Sequence, residues 1–290
     1  MVEWEKKSIQ YMNKLRRGRT ETTLRSIKNR LYMFKKFIGH KDITYDLYEK
    51  YLTWAFENYS HTTVQRSHKE LKRFFKFIKH PVYDEIEFYR IPEKLPPIKT
   101  LNTEQLNIIM EWCKQQTGFN WRHRCSIYLM LLATSGIRAG EAIKLKWSNW
   151  DKDKSMFHLE DTKTGISRLM AYSPSINPYL VRWRHQCESN NPNGSMWVLP
   201  SLKMINHHVD YRAIQQKIKQ YLVPKFGFHF SSKVFRSTMV QRVIDFGGRY
   251  EEASAIVGHK DIGVTQRYYA RIKMNKRAHD AHSRAIKDIF

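Results

Sequence analysis

Cysteine is scarce. Only Cys113, Cys125 and Cys187 occur in 290 residues, widely spaced and without a CxxC pair. That count and spacing argue against a zinc ribbon and against a disulfide framework, and an intracellular setting is expected. Long apolar runs are also lacking. The longest, Ile127 to Ala133, is far short of the ~20 residues that span a bilayer. The first residues, MVEWEKK, hold no apolar signal core, so a cytoplasmic protein is expected, nucleoid-associated in a prokaryotic host. There is no GxxxxGK[ST] phosphate loop and no cluster of carboxylates, so no nucleotide or metal cofactor is expected. Internal repeats and low-complexity tracts are absent. Acidic residues are few: 27 Asp and Glu stand against 51 Lys and Arg, a net charge of +24. Mixed-sign surfaces serve solubility better than such an excess. The excess instead implies a polyanionic partner, most simply nucleic acid. A membrane surface would call for one basic amphipathic helix, whereas here the basic residues are spread over nearly every segment.

What is present suits two folded domains. With 41% apolar and 13% aromatic residues the chain can bury real cores. Residues 1–90 read as all helix. Thr20 caps a helix through Ile38, with Leu24, Ile27, Leu31, Phe34 and Ile38 on one stripe and Gly39 as its stop. Arg25, Lys28, Lys35 and Lys36 lie largely off that stripe. A second helix runs from His61 to Ile78, with Val64, Leu71, Phe74, Phe75 and Ile78 inward and Arg66, Lys69, Lys72, Arg73 and Lys76 on its basic side. Either charged face alone is an ordinary solvated surface; two in one small helical domain point to contact with a DNA backbone. Residues 91–100 hold three of the nine prolines and form a basic linker. The second domain, 101–290, opens on a helix capped by Asn102 and Gln105. The helix through Ile127 to Ala133 is apolar on all sides and should be buried. Strands are expected at 146–150, 156–159 and 168–172, the last two joined as a hairpin by the turn Asp161 to Gly165. Helices are expected from Pro174 to the end.

Eight positions are candidates for chemistry. Arg138 follows a Ser-Gly turn after the buried helix. Glu141, three residues on, is a structural ion-pair partner or an orienting carboxylate, and the two roles are compatible. Lys163 sits on the hairpin turn, where lysines are commonly just solvated; there an ammonium can also reach a groove and protonate a leaving alkoxide. Lys233 and Arg236 share a helix face, which in a basic protein is ordinarily solvent-facing. His259 follows Gly258 at a helix end, and Tyr268 and Tyr269 close the segment. Singly, the histidine suits a cap or core position and the tyrosines suit core packing. Together, two cations, a histidine and a phenol suit the holding of a phosphodiester under tyrosine attack.

The C-terminal two thirds resembles the catalytic domain of tyrosine recombinases, the phage-integrase family. The family's arginine motif resembles ATSGIRAGEAIKLKWSNWD and falls on Arg138. Its strand-turn lysine falls on Lys163 in TKTGISRLMAYSP, and its His-x-x-Arg motif on Lys233-Val-Phe-Arg236. Its Gly-His box resembles VGHKDIGVTQRYY, placing the histidine on His259 and the nucleophile on Tyr268, with Tyr269 the competitor. Lysine at 233, where histidine is usual, resembles integrases of archaeal viruses and plasmids and so points to a mobile element of that kind. A free lysine is a poor base at neutral pH, which leaves open whether Lys233 shuttles the nucleophile's proton or only contacts phosphate.

The resemblance implies a mainly α fold, with a helical core-binding domain and a mostly helical catalytic domain carrying a small antiparallel β-sheet. It implies site-specific recombination or integration of double-stranded DNA through a 3′-phosphotyrosyl intermediate, by two domains clamping the duplex. Arg138, Arg236 and His259 stabilise phosphorane charge, and Lys163 is the general acid. Covalent storage of the phosphate bond removes any need for ATP. A homotetramer on DNA is implied, with residues from Arg271 onward docking on a neighbouring subunit. The alternatives are a nicking-closing enzyme of the type IB topoisomerase kind and a non-catalytic DNA-binding protein of the same fold.

Overall fold

The computed structural model describes residues 2–87, 98–160, 167–191, 194–258, 263 and 266. The chain divides into two compact units, Met1–Leu95 and Pro96–Phe290.

The first unit is helical: α1 (Val2–Arg16), α2 (Glu21–Ile38), α3 (Tyr45–Asn58), α4 (His61–Phe77) and the short α5 (Val82–Glu85). Thr20, Thr44 and Ser60 each precede a helix, and each side-chain oxygen accepts a backbone N–H of the first turn. Those bonds satisfy donors that a helix start leaves orphaned. The predicted stripe of α2 is buried in full, from Leu24 to Ile38. On α4, Val64, Leu71, Phe74 and Phe75 are buried, while Ile78 is half-buried just past the helix end. The same inner face also carries Ser67, His68 and Glu70. Each is matched by a phenol: Tyr51 Oη lies 2.8 Å from Ser67 Oγ, Tyr48 Oη 2.8 Å from His68 Nδ1, and Tyr11 Oη donates to Glu70 at 2.7 Å. Paired polar groups can be buried at little cost where unpaired ones cannot. The opposite face of α4 presents Arg66, Lys69, Arg73 and Lys76 to solvent.

The second unit is built around α7 (Trp121–Ser135), buried on nearly every side. Before it comes α6 (Thr103–Lys114), with the predicted Asn102–Gln105 capping box formed. After it come α8 (Ala139–Ala142) and a three-stranded antiparallel sheet in the order β1 (Trp150–Asp151), β2 (Met156–Leu159), β3 (Arg168–Ala171). The register sets Met156 opposite Ala171 and Leu159 opposite Arg168. Then follow α9 (Asn177–Asn190), α10 (Tyr211–Lys217), which continues through a π turn into α11 (Val223–Phe226), α12 (Ser232–Asp245) and α13 (Tyr250–Val257). Among the described residues no helix is long and apolar enough to cross a membrane.

Two expectations are corrected. The strand expected at 146–150 is mostly a 3-10 turn, Trp147–Asn149, with extended pairing to β2 only at Trp150 and Asp151. The cause is a different partner: Trp147 N donates to Met196 O at 3.0 Å and Val198 N donates to Leu145 O at 2.8 Å. Nor is the chain helical throughout after Pro174. In the stretch between α9 and α10 the described residues form turns and two isolated bridges, Lys146 with Trp197 and Pro200 with His208. Buried Trp183 donates to Val198 O at 2.7 Å and secures that stretch. The hairpin turn expected at Asp161 to Gly165, most of the linker at 91–100, and the segment from Arg271 onward lie outside the described residues.

Candidate functional site

The site is assembled at the end of α7. Gly136 terminates that helix with φ +63°, a left-handed conformation that glycine adopts without strain. A Cβ there would lie 3.0 Å from Met239 on α12 and 3.1 Å from Val257 on α13. Three helix segments therefore close on one turn, and two residues later the chain presents Arg138.

Arg138 is held at three atoms. Nη1 donates to Glu141 Oε1 at 2.8 Å, the backbone N to Glu141 Oε2 at 3.3 Å, and Nη2 to the carbonyl of Gly258. Glu141 is nearly sealed, its side chain 4% exposed against 24% for Arg138. The sequence separates Arg138 from Gly258 by 120 positions, yet the fold joins them. Gly258 precedes His259 directly, so the residue before the expected histidine is pinned to the first arginine. On α12, Arg236 Nη1 donates to Gly136 O at 3.1 Å, which brings the second arginine to the same turn. Lys233, one turn before it, is exposed.

Arg168 is the residue that the sequence reading missed. At the start of β3, its Nη2 meets Glu141 Oε2 at 2.9 Å and its Nη1 donates to Ile256 O at 3.0 Å. Glu141 thus takes one arginine on each carboxylate oxygen. Gly258, at φ +67°, leaves room for Arg168: a Cβ would sit 2.6 Å from Nε. A lone arginine at a strand start reads as solvated, and only the tertiary approach of β3 to α13 reveals its partners.

Arg168 and Glu141 offset each other's charge, so Arg138 and Arg236 leave the turn net positive, and partial burial strengthens its attraction for an anion. Planar guanidiniums suit the two non-bridging oxygens of a phosphodiester. A cavity of about 430 Å³ beside Glu141 is lined in part by Lys144, Lys146, His158 and His208, and does not include Arg138 or Arg236. Among the described residues no group of three or more His, Cys, Asp or Glu is arranged to hold a metal ion. The expected Lys163, His259, Tyr268 and Tyr269 lie outside the described residues. The site geometry therefore rests on Arg138, Glu141, Arg168, Arg236 and Gly258.

Solved structures share the fold. XerH site-specific recombinase bound to palindromic difH substrate matches with a TM-score of 0.71 and 15% identity, over 90% of this chain and 79% of that one. A lambda integrase tetramer bound to a Holliday junction matches with a TM-score of 0.69 and 14% identity, over 92% and 76%. In sequence, tyrosine recombinase XerA of Saccharolobus solfataricus is 24% identical over 198 residues, 68% of this chain and 60% of that protein's length. The profile of the phage integrase family matches residues 99–275, a span that takes in the whole guanidinium cluster together with the Gly-His and tyrosine motifs, and the chain belongs to that family of tyrosine recombinases.

Proposed function

We propose that the protein is a site-specific recombinase that cuts and rejoins double-stranded DNA through a 3′-phosphotyrosyl intermediate. The observation that carries this reading is the convergence of Arg138 and Arg236 on one turn, with Arg138 bonded to Glu141 and to Gly258. In this reading the scissile phosphate lies on the two guanidiniums. The Tyr268 oxygen attacks phosphorus, the P–O5′ bond breaks, and Lys163 gives its proton to the departing 5′-oxygen. Charge gathering on the phosphorane oxygens is met by Arg138, Arg236 and His259, and Glu141 keeps Arg138 aimed. Lys233 contacts phosphate or carries the nucleophile's proton. The 5′-hydroxyl of another strand reverses the chemistry and rejoins the backbone.

The domains take separate roles in this reading: a helical DNA-binding unit at 1–90, a basic linker at 91–100 and the catalytic unit at 101–290. The related XerH structure is a complex with its difH substrate, and the lambda integrase structure is a tetramer on a Holliday junction. By analogy this chain works as a homotetramer on DNA, in the compartment that holds the DNA. Lysine at position 233 favours a mobile element such as an archaeal virus or plasmid.

The test uses duplexes selected from a random-sequence library for retention by the full-length protein, then nicked at each position to trap covalent complexes. Arg138→Ala and Arg236→Ala should each slow covalent trapping by about 10²–10³-fold while binding the selected duplex within a few-fold of the unaltered protein. Trapping at the unaltered rate by either variant would overturn the assignment.

A further inference from the structure

We infer that Arg168 is a positioning residue of the cleavage site, holding the Gly258 turn against Arg138 through Glu141. The inference rests on the recombinase reading above for its catalytic consequence, but its structural content stands on contacts alone. Arg168 bridges two elements that share no covalent proximity. It starts β3, and it donates both to Glu141 Oε2 at 2.9 Å and to the carbonyl of Ile256, near the end of α13, at 3.0 Å. Arg138 takes the carbonyl of Gly258, two residues further on. Two guanidiniums linked by one carboxylate therefore hold carbonyls at the C-terminal end of α13. Cations at that end also meet the favourable pole of the helix dipole. The fit is close. Arg168 is only 16% exposed at its side chain, and its Nε is buried with no hydrogen-bond partner among the described residues. Gly258 carries no Cβ to push the guanidinium away. Burying a long cationic side chain with one nitrogen unsatisfied costs free energy, so the placement is not that of an incidental surface arginine.

The consequence concerns geometry. His259 follows the held carbonyl directly, and a misplacement of about 1 Å at a reacting centre costs about 100-fold in rate. Arg168 reaches no reacting atom by these contacts; it acts through Glu141, Arg138 and the Gly258 turn. Its loss therefore should change the rate of the chemical step and leave DNA affinity alone.

Arg168→Met keeps much of the buried stem and removes the bridge. On the selected nicked duplexes, single-turnover trapping at saturating DNA should fall about 100-fold, with the half-saturating DNA concentration within twofold of the unaltered protein. Glu141→Gln should be slow as well, and the double variant should be no slower than the slower single one, because both act through one bridge. Multiplying rate losses in the double variant, or a loss that appears only as weaker binding, would overturn the inference. Amide deuterium uptake supplies a readout that needs no cleavage. In DNA-free full-length protein, Arg168→Met should exchange at least tenfold faster over 250–258 and at the unaltered rate over α6. Unchanged uptake over 250–258 overturns the anchoring even where the recombinase reading holds. Faster uptake with no covalent adduct from any variant, or from the unaltered protein, upholds the anchoring and removes the recombinase reading instead.

Discussion

Glu141 has its charge shared between Arg138 on one oxygen and Arg168 on the other. A buried carboxylate so paired is a directional device more than a stability device, since the desolvation of three charges offsets most of their attraction. The same logic of matched polar burial appears in the first unit at His68. Burial, with the nearby charges of Lys72 and Lys69 adding to it, lowers the His68 pKa from the ordinary 6.5 to about 4. The unfolded chain therefore takes up the proton first as pH falls. Stability of this unit is at its fullest above about pH 6.5, declines between 6.5 and about 4, and levels off below, by up to roughly 3 kcal/mol. An NMR titration of the His68 ring should give a midpoint below about 5, and a midpoint near 6.5 would contradict the burial argument.

At the scale of elements, the Gly136 turn is where α7, α12 and α13 meet. Alanine there faces a left-handed backbone and contacts of 3.0 Å to Met239. Gly136→Ala should cost about 1–3 kcal/mol in denaturant unfolding and should slow covalent trapping, because Arg236 bonds to the carbonyl of that same residue. A loss below about 0.5 kcal/mol would show that the turn relaxes freely. Elements of this size were legible in the sequence where their cause is local. The stripe of α2 and the all-round apolar α7 follow from residue spacing, and the Asn102–Gln105 cap from residues three apart. The segment 146–150 misled because its pairing is not local: Leu145 and Trp147 pair with residues about fifty positions later. Arg168 was illegible for a similar reason, its partners lying 27 and 88 positions away. Ser67, His68 and Glu70 broke the apolar stripe of α4 because their phenol partners belong to other helices. Arg138 with Glu141, three residues on, and Arg236 on a helix face with Lys233 were legible as local pairs; joining positions 138 and 236 in one site took the resemblance, since spacing alone would not have done so.

For the molecule as a whole, a net charge of +24 makes phosphate contact the natural source of affinity, and such affinity falls with salt. The solvent face of α4 offers a local measure. Lys69, Lys72, Arg73 and Lys76 line one cavity with Tyr83, and Lys69 and Lys76 are exposed. In the full-length protein, Lys69→Gln with Lys76→Gln should make the slope of log K against log salt shallower by about 0.9 for each phosphate no longer neutralised. An unaltered slope would remove this face from the DNA-binding surface. The account turns most directly on the covalent link itself. Protein trapped on the nicked duplexes should be digested and the DNA-bearing peptide identified by mass spectrometry. The account predicts a tyrosine of the peptide around Gln266 to Tyr269 joined to a 3′-phosphate, a free 5′-hydroxyl on the other DNA end, and loss of the adduct in Tyr268→Phe but not in Tyr269→Phe. A link to a 5′-phosphate, a link elsewhere in the chain, or the absence of any adduct from the unaltered protein would contradict it.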